Sequence, residues 1–212
     1  QGNAQEVVPY TEHSNDLVGV IPRLERVVTA AETLLGGAPY HWHSKLSMKQ
    51  PGSAGTWDWH QDYPPWRVID GMAEPRCIVA TVFIDDCSAV KSPLLVIPGS
   101  HRHGLMEAKL HEDARGKGYD LMHVDRQTME GLAGQNGIEA LIGPAGSVGF
   151  VHCNVLHGSA NNVSPWRRAI MYLVYNAVSN ACTGTERAWH HNNRDFTPLE
   201  PLDDDCLKTL PH

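Results

Sequence analysis

The sequence predicts a single mainly β domain, a sandwich or barrel with flanking helices, and three observations predict it. Beyond residue 37 the apolar residues fall in short runs rich in Val, Ile and aromatics, punctuated by Gly and Pro. No helix-period segment separates each run from the next, so a parallel β-α-β sheet is disfavoured. With 212 residues, 42% of them hydrophobic, the chain can bury one sizeable core but not comfortably two, and residues 1–212 are read as one domain.

The elements follow in order. From Pro22 to Leu35, PRLERVVTAAETLL places apolar residues at 24, 27, 28, 31, 34 and 35, with Pro22 near the start and Gly36-Gly37 beyond the end. That is the signature of an amphipathic helix. Strands are expected over 76–84, 94–98, 147–152 and 169–177. The polar segment from His103 to Gly137 fits either a helix around Asp125 to Leu132 or a mobile insertion between strands. No internal repeat or low-complexity tract is present.

Composition excludes several classes of function. Seventeen Lys+Arg against 24 Asp+Glu give a formal charge of -7, and no basic run is longer than Arg167-Arg168. Neither a nucleic-acid partner nor an anionic membrane surface is expected. No apolar stretch approaches the ~18 residues that span a bilayer, and Gln1 to Tyr10 lacks the pattern of a signal peptide. The five cysteines, Cys77, Cys87, Cys153, Cys182 and Cys206, are odd in number and widely spaced with no CxxC pair. Neither a disulfide framework nor a thiolate zinc site is expected, and a reducing cytoplasm fits best. Because the first residue is Gln rather than Met, an additional N-terminal segment is an open expectation. The oligomeric state is not legible, a homodimer being one arrangement.

Thirteen histidines are the compositional oddity, since imidazole is the commonest side-chain donor to transition metals. The segment Trp57-Asp58-Trp59-His60-Gln61-Asp62-Tyr63 reads as extended, and in a strand the side chains at 60 and 62 share a face. A third ligand is available where the strand-like run from Gly146 ends in His157-Gly158-Ser159. Two histidines and a carboxylate on one face of an octahedral ion leave three positions open, the arrangement of non-haem iron(II) oxygenases. HxD alone is a weak signal, and His41-Trp42-His43 and His101-Arg102-His103 are decoys of similar texture. Arg168, 11 residues after His157, adds weight. A guanidinium there can grip a dicarboxylic acid held on the metal in a bidentate pair that Lys cannot reproduce, and Ser159 can donate a second bond.

Four motifs carry a resemblance: WHQDYPPWRVIDGM (59–72), VIPGSHR (96–102), GPAGSV (143–148) and CNVLHGSANNVSPWRRAIMYLVYNAVSN (153–180). Their order and content resemble the phytanoyl-CoA dioxygenase superfamily and, within it, the ectoine hydroxylases. The resemblance implies a double-stranded β-helix, a cupin-like jelly roll, with iron(II), 2-oxoglutarate and dioxygen as the reacting set. By position, it implies that His60, Asp62 and His157 bind the metal and that Arg168 and Ser159 hold the distal carboxylate of 2-oxoglutarate. It further places Trp57 beside the cosubstrate and Trp66 near substrate and cosubstrate. Two departures stand out. His43 occupies the place of a Gln that contacts ectoine, and Ser47 that of an Asn that helps hold 2-oxoglutarate.

The implied activity is hydroxylation of an aliphatic C–H bond, with release of succinate and carbon dioxide. The rim of Trp57, Trp59, Tyr63 and Trp66 suits a small cationic or zwitterionic molecule. The expected substrate is therefore a small polar metabolite, ectoine-like or amino-acid-like, and His43 argues against ectoine itself. Rival readings are a true ectoine hydroxylase, and a metal-containing cupin-like binding protein that turns nothing over, which has no need of Arg168 and Ser159. A zinc hydrolase lacks a nearby general base, and Asp62 disfavours a halogenase, which by resemblance needs that position for a halide.

Overall fold

The computed structural model describes residues 5–10, 14–53, 55–106, 108–110 and 122–210. Eleven strands run in chain order through these residues: β1 Gln5–Tyr10, β2 Pro39–Lys49, β3 Trp57–His60, β4 Cys77–Phe83, β5 Leu94–Val96, β6 Ala108–Leu110, β7 Met122–Val124, β8 Glu139–Leu141, β9 Val148–His152, β10 His157–Ser159 and β11 Arg168–Ala177. The helices are α1 Leu17–Val20, α2 Glu25–Leu35, α3 Tyr63–Val68 and α4 Arg126–Asn136.

The strands make two antiparallel sheets, one ordered β1-β2-β11-β4-β9 and the other β6-β7-β3-β10-β5-β8. From β2 to β5 and again from β8 to β11 the chain crosses between sheets at each step, which winds it into a double-stranded β-helix. The expected jelly roll is thus the fold observed.

Helix α2 covers the outer face of the first sheet. Leu24, Val27, Val28, Ala31 and Leu35 are buried against Ile78, Ala80, Met171, Leu173 and Tyr175, while Leu34 stays 56% exposed. The helix begins later than its periodicity predicts, because Pro22 sits in a separate 3-10 turn, Ile21–Arg23. It ends on Gly36 at φ 66, a left-handed residue that glycine adopts without steric penalty.

Two features of the sequence reading are corrected. The run from 146 to 157 is not one strand but two. The turn after His152, closed by Val155 N–H donating to the His152 carbonyl, delivers β9 and β10 to different sheets. The extended segment that was expected to reach Tyr63 stops at His60, since Asp62 has helical backbone angles and α3 starts at the next residue. Pro64 and Pro65 drive that change: in the first turn of a helix a missing N–H leaves no bond unmade.

The expected helix near 125–132 is α4, capped by Asp125, whose carboxylate accepts from Thr128 N–H. Residues 111–121, part of the stretch considered as an insertion, lie outside the described residues. No helix among the described residues is long and apolar enough to cross a membrane.

Candidate active site

Strands β3 and β10 are neighbours, and their register sets His60 opposite His157 with ring centroids 4.2 Å apart. Each imidazole is held by its own backbone. His60 Nδ1 lies 2.5 Å from the Asp58 carbonyl and His157 Nδ1 2.9 Å from that of Val155. A carbonyl only accepts, so both Nδ1 atoms carry the proton and both Nε2 atoms keep a lone pair for a metal.

Asp62 enters from a different geometry than a shared strand face. The N–H groups of Asp62 and Tyr63 both donate to the Cys153 carbonyl, at 3.1 and 3.2 Å, bending the chain out of β3 and into α3. Asp62 occupies the N-cap position of α3, yet its side chain makes no capping bond. Its oxygens instead lie 3.8 Å from His60 Nε2 and 3.7 Å from His157 Nε2. The three donor atoms fall within 4.8 Å of one another, and no other such group is found among the described residues.

Gln61, between two ligands, points away from them and is fully buried. Its amide donates to the Gly104 and Asn154 carbonyls and accepts from Met106 N–H, which pins the turn that aims Asp62. Gly158 lets β3 approach closely, for a Cβ there would sit 2.8 Å from the Trp57 carbonyl oxygen.

The donors open into a cleft of about 670 Å³, its solvent-filled mouth included. Lys45, Ser47, Trp57, Trp66, Leu94, Ser159, Tyr172 and Val174 line it with the three donors. Arg168 stands behind that wall. It is 1% exposed, reaches Ser47 Oγ at 3.5 Å through Nη1, and its Nε has no partner among the described residues. Lys49, opposite Arg168 in the β2–β11 register, is also fully buried. Its ammonium donates to Ser92 Oγ, Ser159 Oγ and the Ala160 carbonyl at 2.9, 2.7 and 2.7 Å. A buried guanidinium with an unmet N–H beside a second buried cation is a place made for an anion. The donor set fits a transition metal, and this end of the cleft fits the far carboxylate of a diacid lying on it.

The other end is built from His43, Trp66 and the segment after β11. His43 is 2% exposed, its ring centroid 5.7 Å from that of Trp66, and neither ring nitrogen has a hydrogen-bond partner among the described residues. Burial, then the Lys45 charge, push its pKa well below the usual imidazole range, so the ring is neutral. Lys45 is only half-buried, because the cleft wets it, yet barrel walls surround it and desolvation lowers its ammonium to about 8. The chain after β11 is strapped back over β2. Trp42 Nε1 donates to Asn192 Oδ1, and Asn193 donates through its amide to the His41 carbonyl. This strap carries Arg187, whose Nη1 lies 3.5 Å from the fully buried Asp70 carboxylate.

Of the residues singled out in the sequence, His60, Asp62, His157, Ser159, Ser47, Trp57 and Trp66 meet at the cleft, with Arg168 and His43 just behind it. Lys49, Lys45, Gln61 and the Arg187–Asp70 pair were not singled out. The period-2 spacing of His43, Lys45, Ser47 and Lys49 is the signal that could have found two of these, Lys45 and Lys49. Apart from His43, the decoy histidines His41 and His101 turn elsewhere. His41 Nε2 bonds Ser44 Oγ at 2.6 Å, and His101 stacks near His152 with centroids 5.2 Å apart.

A double-stranded β-helix whose two histidines and one carboxylate converge from adjacent strand ends is a non-haem iron type of centre. The phytanoyl-CoA dioxygenase (PhyH) family model matches residues 3–170. The chain belongs to that family of iron(II)- and 2-oxoglutarate-dependent dioxygenases. Among curated relatives, the L-proline trans-4-hydroxylase of Streptomyces griseoviridis is 36% identical over 194 residues, 87% of this chain and 72% of that protein. The ectoine dioxygenase of Bordetella parapertussis is 36% identical over 198 residues, 88% of this chain but only 64% of that protein, so the chain spans less than two thirds of its length. Among solved structures, EctD from S. alaskensis with 2-oxoglutarate and 5-hydroxyectoine superposes with a TM-score of 0.78 at 30% identity, covering 93% of this chain and 67% of that one. The same enzyme with bound Fe gives a TM-score of 0.79 at equal identity and coverage.

Proposed function

We propose that this protein hydroxylates an aliphatic C–H bond of a small zwitterionic metabolite, amino- or imino-acid-like, at the expense of 2-oxoglutarate, which leaves as succinate and carbon dioxide. The observation that carries this reading is the convergence of two Nε2 lone pairs and an uncapped carboxylate on a cleft backed by a buried guanidinium whose Nε has no partner among the described residues. His60, Asp62 and His157 hold the iron(II). When bound, iron and 2-oxoglutarate supply with dioxygen the oxidising chemistry, and the protein supplies placement.

Arg168, with Ser159 and Ser47, receives the distal carboxylate of 2-oxoglutarate, and Lys49 supplies a second positive charge there. The Ser159 hydroxyl accepts from Lys49, so its own proton is left to donate. Trp57 walls the cosubstrate side of the cleft. Trp66 and His43 form the substrate side, where the barrel excludes water around the C–H bond to be oxidised.

Identity alone does not choose between relatives named for proline and for ectoine, since both are 36% identical. His43 supports the choice of a substrate other than ectoine. A neutral imidazole offers one donor and one acceptor on a rigid ring, in place of an amide with two of each. Succinate formation measured over ectoine, L-proline, other amino acids and acyl-CoA thioesters tests the reading. L-Proline or a close analogue is expected to give the highest coupled rate. Tight coupling to ectoine above every other compound refutes the choice, and no succinate with any compound leaves only a metal-binding protein.

A further inference from the structure

We propose that His152 is a positioning residue for the metal centre: its imidazole sets the turn between β9 and β10, and that turn aims Asp62 and His157 at the ion. This rests on the reading of His60, Asp62 and His157 as metal donors. The backbone of the turn meets the donor segment at three consecutive carbonyls. That of Cys153 accepts from the Asp62 and Tyr63 N–H groups at 3.1 and 3.2 Å. That of Asn154 accepts from the Gln61 amide at 2.8 Å, and that of Val155 from His157 Nδ1 at 2.9 Å. Two of the three metal donors, Asp62 and His157, are thus oriented from residues 153–155.

The turn itself is fixed from His152. Val155 N–H donates to the His152 carbonyl at 2.8 Å, and Asn154 N–H donates to His152 Nδ1 at 3.1 Å. Asn154 is 2% exposed, so little water reaches the turn to replace a lost acceptor, and an unmet buried N–H is costly. A backbone N–H only donates, so Nδ1 of His152 is the bare nitrogen and Nε2 carries the proton, the opposite tautomer to both metal histidines. Burial, then the neighbouring His101 ring with its centroid 5.2 Å away, lower the His152 pKa, which keeps the imidazole neutral and its acceptor in place. His152 lies outside the donor set, so its effect reaches the ion through the backbone. The bond has the span of an Asx turn, in which an Asn or Asp oxygen accepts from the N–H two residues on. Nδ1 of His and Oδ1 of Asn are both attached to Cγ, so Asn reproduces the acceptor's position, whereas Gln carries its oxygen one bond further out.

The test compares wild type with His152→Leu, His152→Gln and His152→Asn. Iron(II) affinity is read by calorimetry without oxygen, and circular dichroism melting of the metal-free proteins checks that each is folded. Loss of the acceptor is expected to weaken iron(II) binding about 10-fold in His152→Leu and His152→Gln, the lower end of what groups that orient metal ligands contribute. His152→Asn is expected to bind iron(II) as wild type does, a rescue that mere filling of space would not produce, since Gln is nearer to His in size. If His152→Leu does not fold, His152→Asn against His152→Gln decides. Equal iron(II) affinity in His152→Leu and wild type overturns the assignment, and so do Asn and Gln variants that behave alike; either result leaves the donor set standing. A wild type that binds no iron(II) overturns the donor set, and the assignment with it.

Discussion

Replacing Arg168 by Met is expected to change stability with opposite sign in the presence and absence of 2-oxoglutarate. Arg168 is 1% exposed and its Nε has no partner among the described residues, so the ligand-free protein bears the penalty of an incompletely satisfied buried cation. Met keeps the length and apolar character of the stem, so the ligand-free variant should melt higher than wild type. With the cosubstrate the order reverses. At a concentration of 100 times Kd a ligand adds about 2.7 kcal/mol. For a domain of this size that is roughly 5–11 °C in Tm, at about 2–4 °C per kcal/mol. Losing charge-assisted bonds worth about 1.5–3 kcal/mol lowers affinity roughly 10- to 150-fold. At the same concentration the ligand then contributes only about 0.3–1.3 kcal/mol, so its shift should fall to under about 5 °C. Thermal melts of the iron-loaded protein without oxygen, with and without 2-oxoglutarate, measure both quantities. A ligand-induced shift in Arg168→Met equal to that of wild type refutes the placement of the distal carboxylate.

Two further outcomes follow from the geometry. His157→Ala should drop iron from one equivalent per chain to near none, measured by metal analysis after anaerobic loading and desalting, and full retention would remove it from the donor set. Gly184→Ala should destabilise the protein by about 1–3 kcal/mol in urea titration, since its Cβ would sit 2.5 Å from the Ile69 carbonyl oxygen and 2.7 Å from the Asp70 carbonyl carbon. Gly131→Ala in α4, where a Cβ meets nothing within 4 Å, is the control and should be neutral or stabilising.

The barrel and its metal donors were legible because they rest on short patterns. Apolar runs such as 76–84 and 169–177 pack on α2 with one face, and the HxD pair with a distant His needs only identity and spacing. Strand β2 was not legible, although it is central to its sheet with β1 and β11 on either side. Its inward positions are His43, Lys45, Ser47 and Lys49, polar residues that a hydrophobic pattern reads as exposed, yet His43, Ser47 and Lys49 are at most 3% exposed. Function has replaced the apolar alternation by which a strand is normally recognised. The bulge between Val174 and Tyr175 also shifts the β2 pairing, so Trp42 and His43 both leave the outer face although adjacent in sequence. Asp62 illustrates a right answer reached by the wrong geometry. Spacing paired it with His60 on a strand face, whereas the bend into α3 presents it from an unused capping position.

The β2–β11 register orders the chemistry along the barrel. Reading inward from the Lys49–Arg168 pair, the next inward pairs are Ser47–Ile170, Lys45–Tyr172 and His43–Val174. On the proposed reading the two buried cations mark the cosubstrate end and the aromatic and imidazole positions the substrate end, with the metal donors arriving from the opposite sheet. Because side chains alternate at a period of two, a slip of one residue between β2 and β11 would turn one strand's share of these groups to the outer face, against α2, while the other strand's stayed on the cleft. Were β2 the strand to turn, Met48 and Leu46 would face the cleft in place of its polar groups. The hydrophobic packing of α2 on the outer side is thus what holds the Arg168 end and the His43 end of β2 in place relative to the metal donors. Substitutions in that outer core, such as Leu173→Ala, should accordingly weaken the binding of both small molecules together, whereas changes at Arg168 or His43 should separate them.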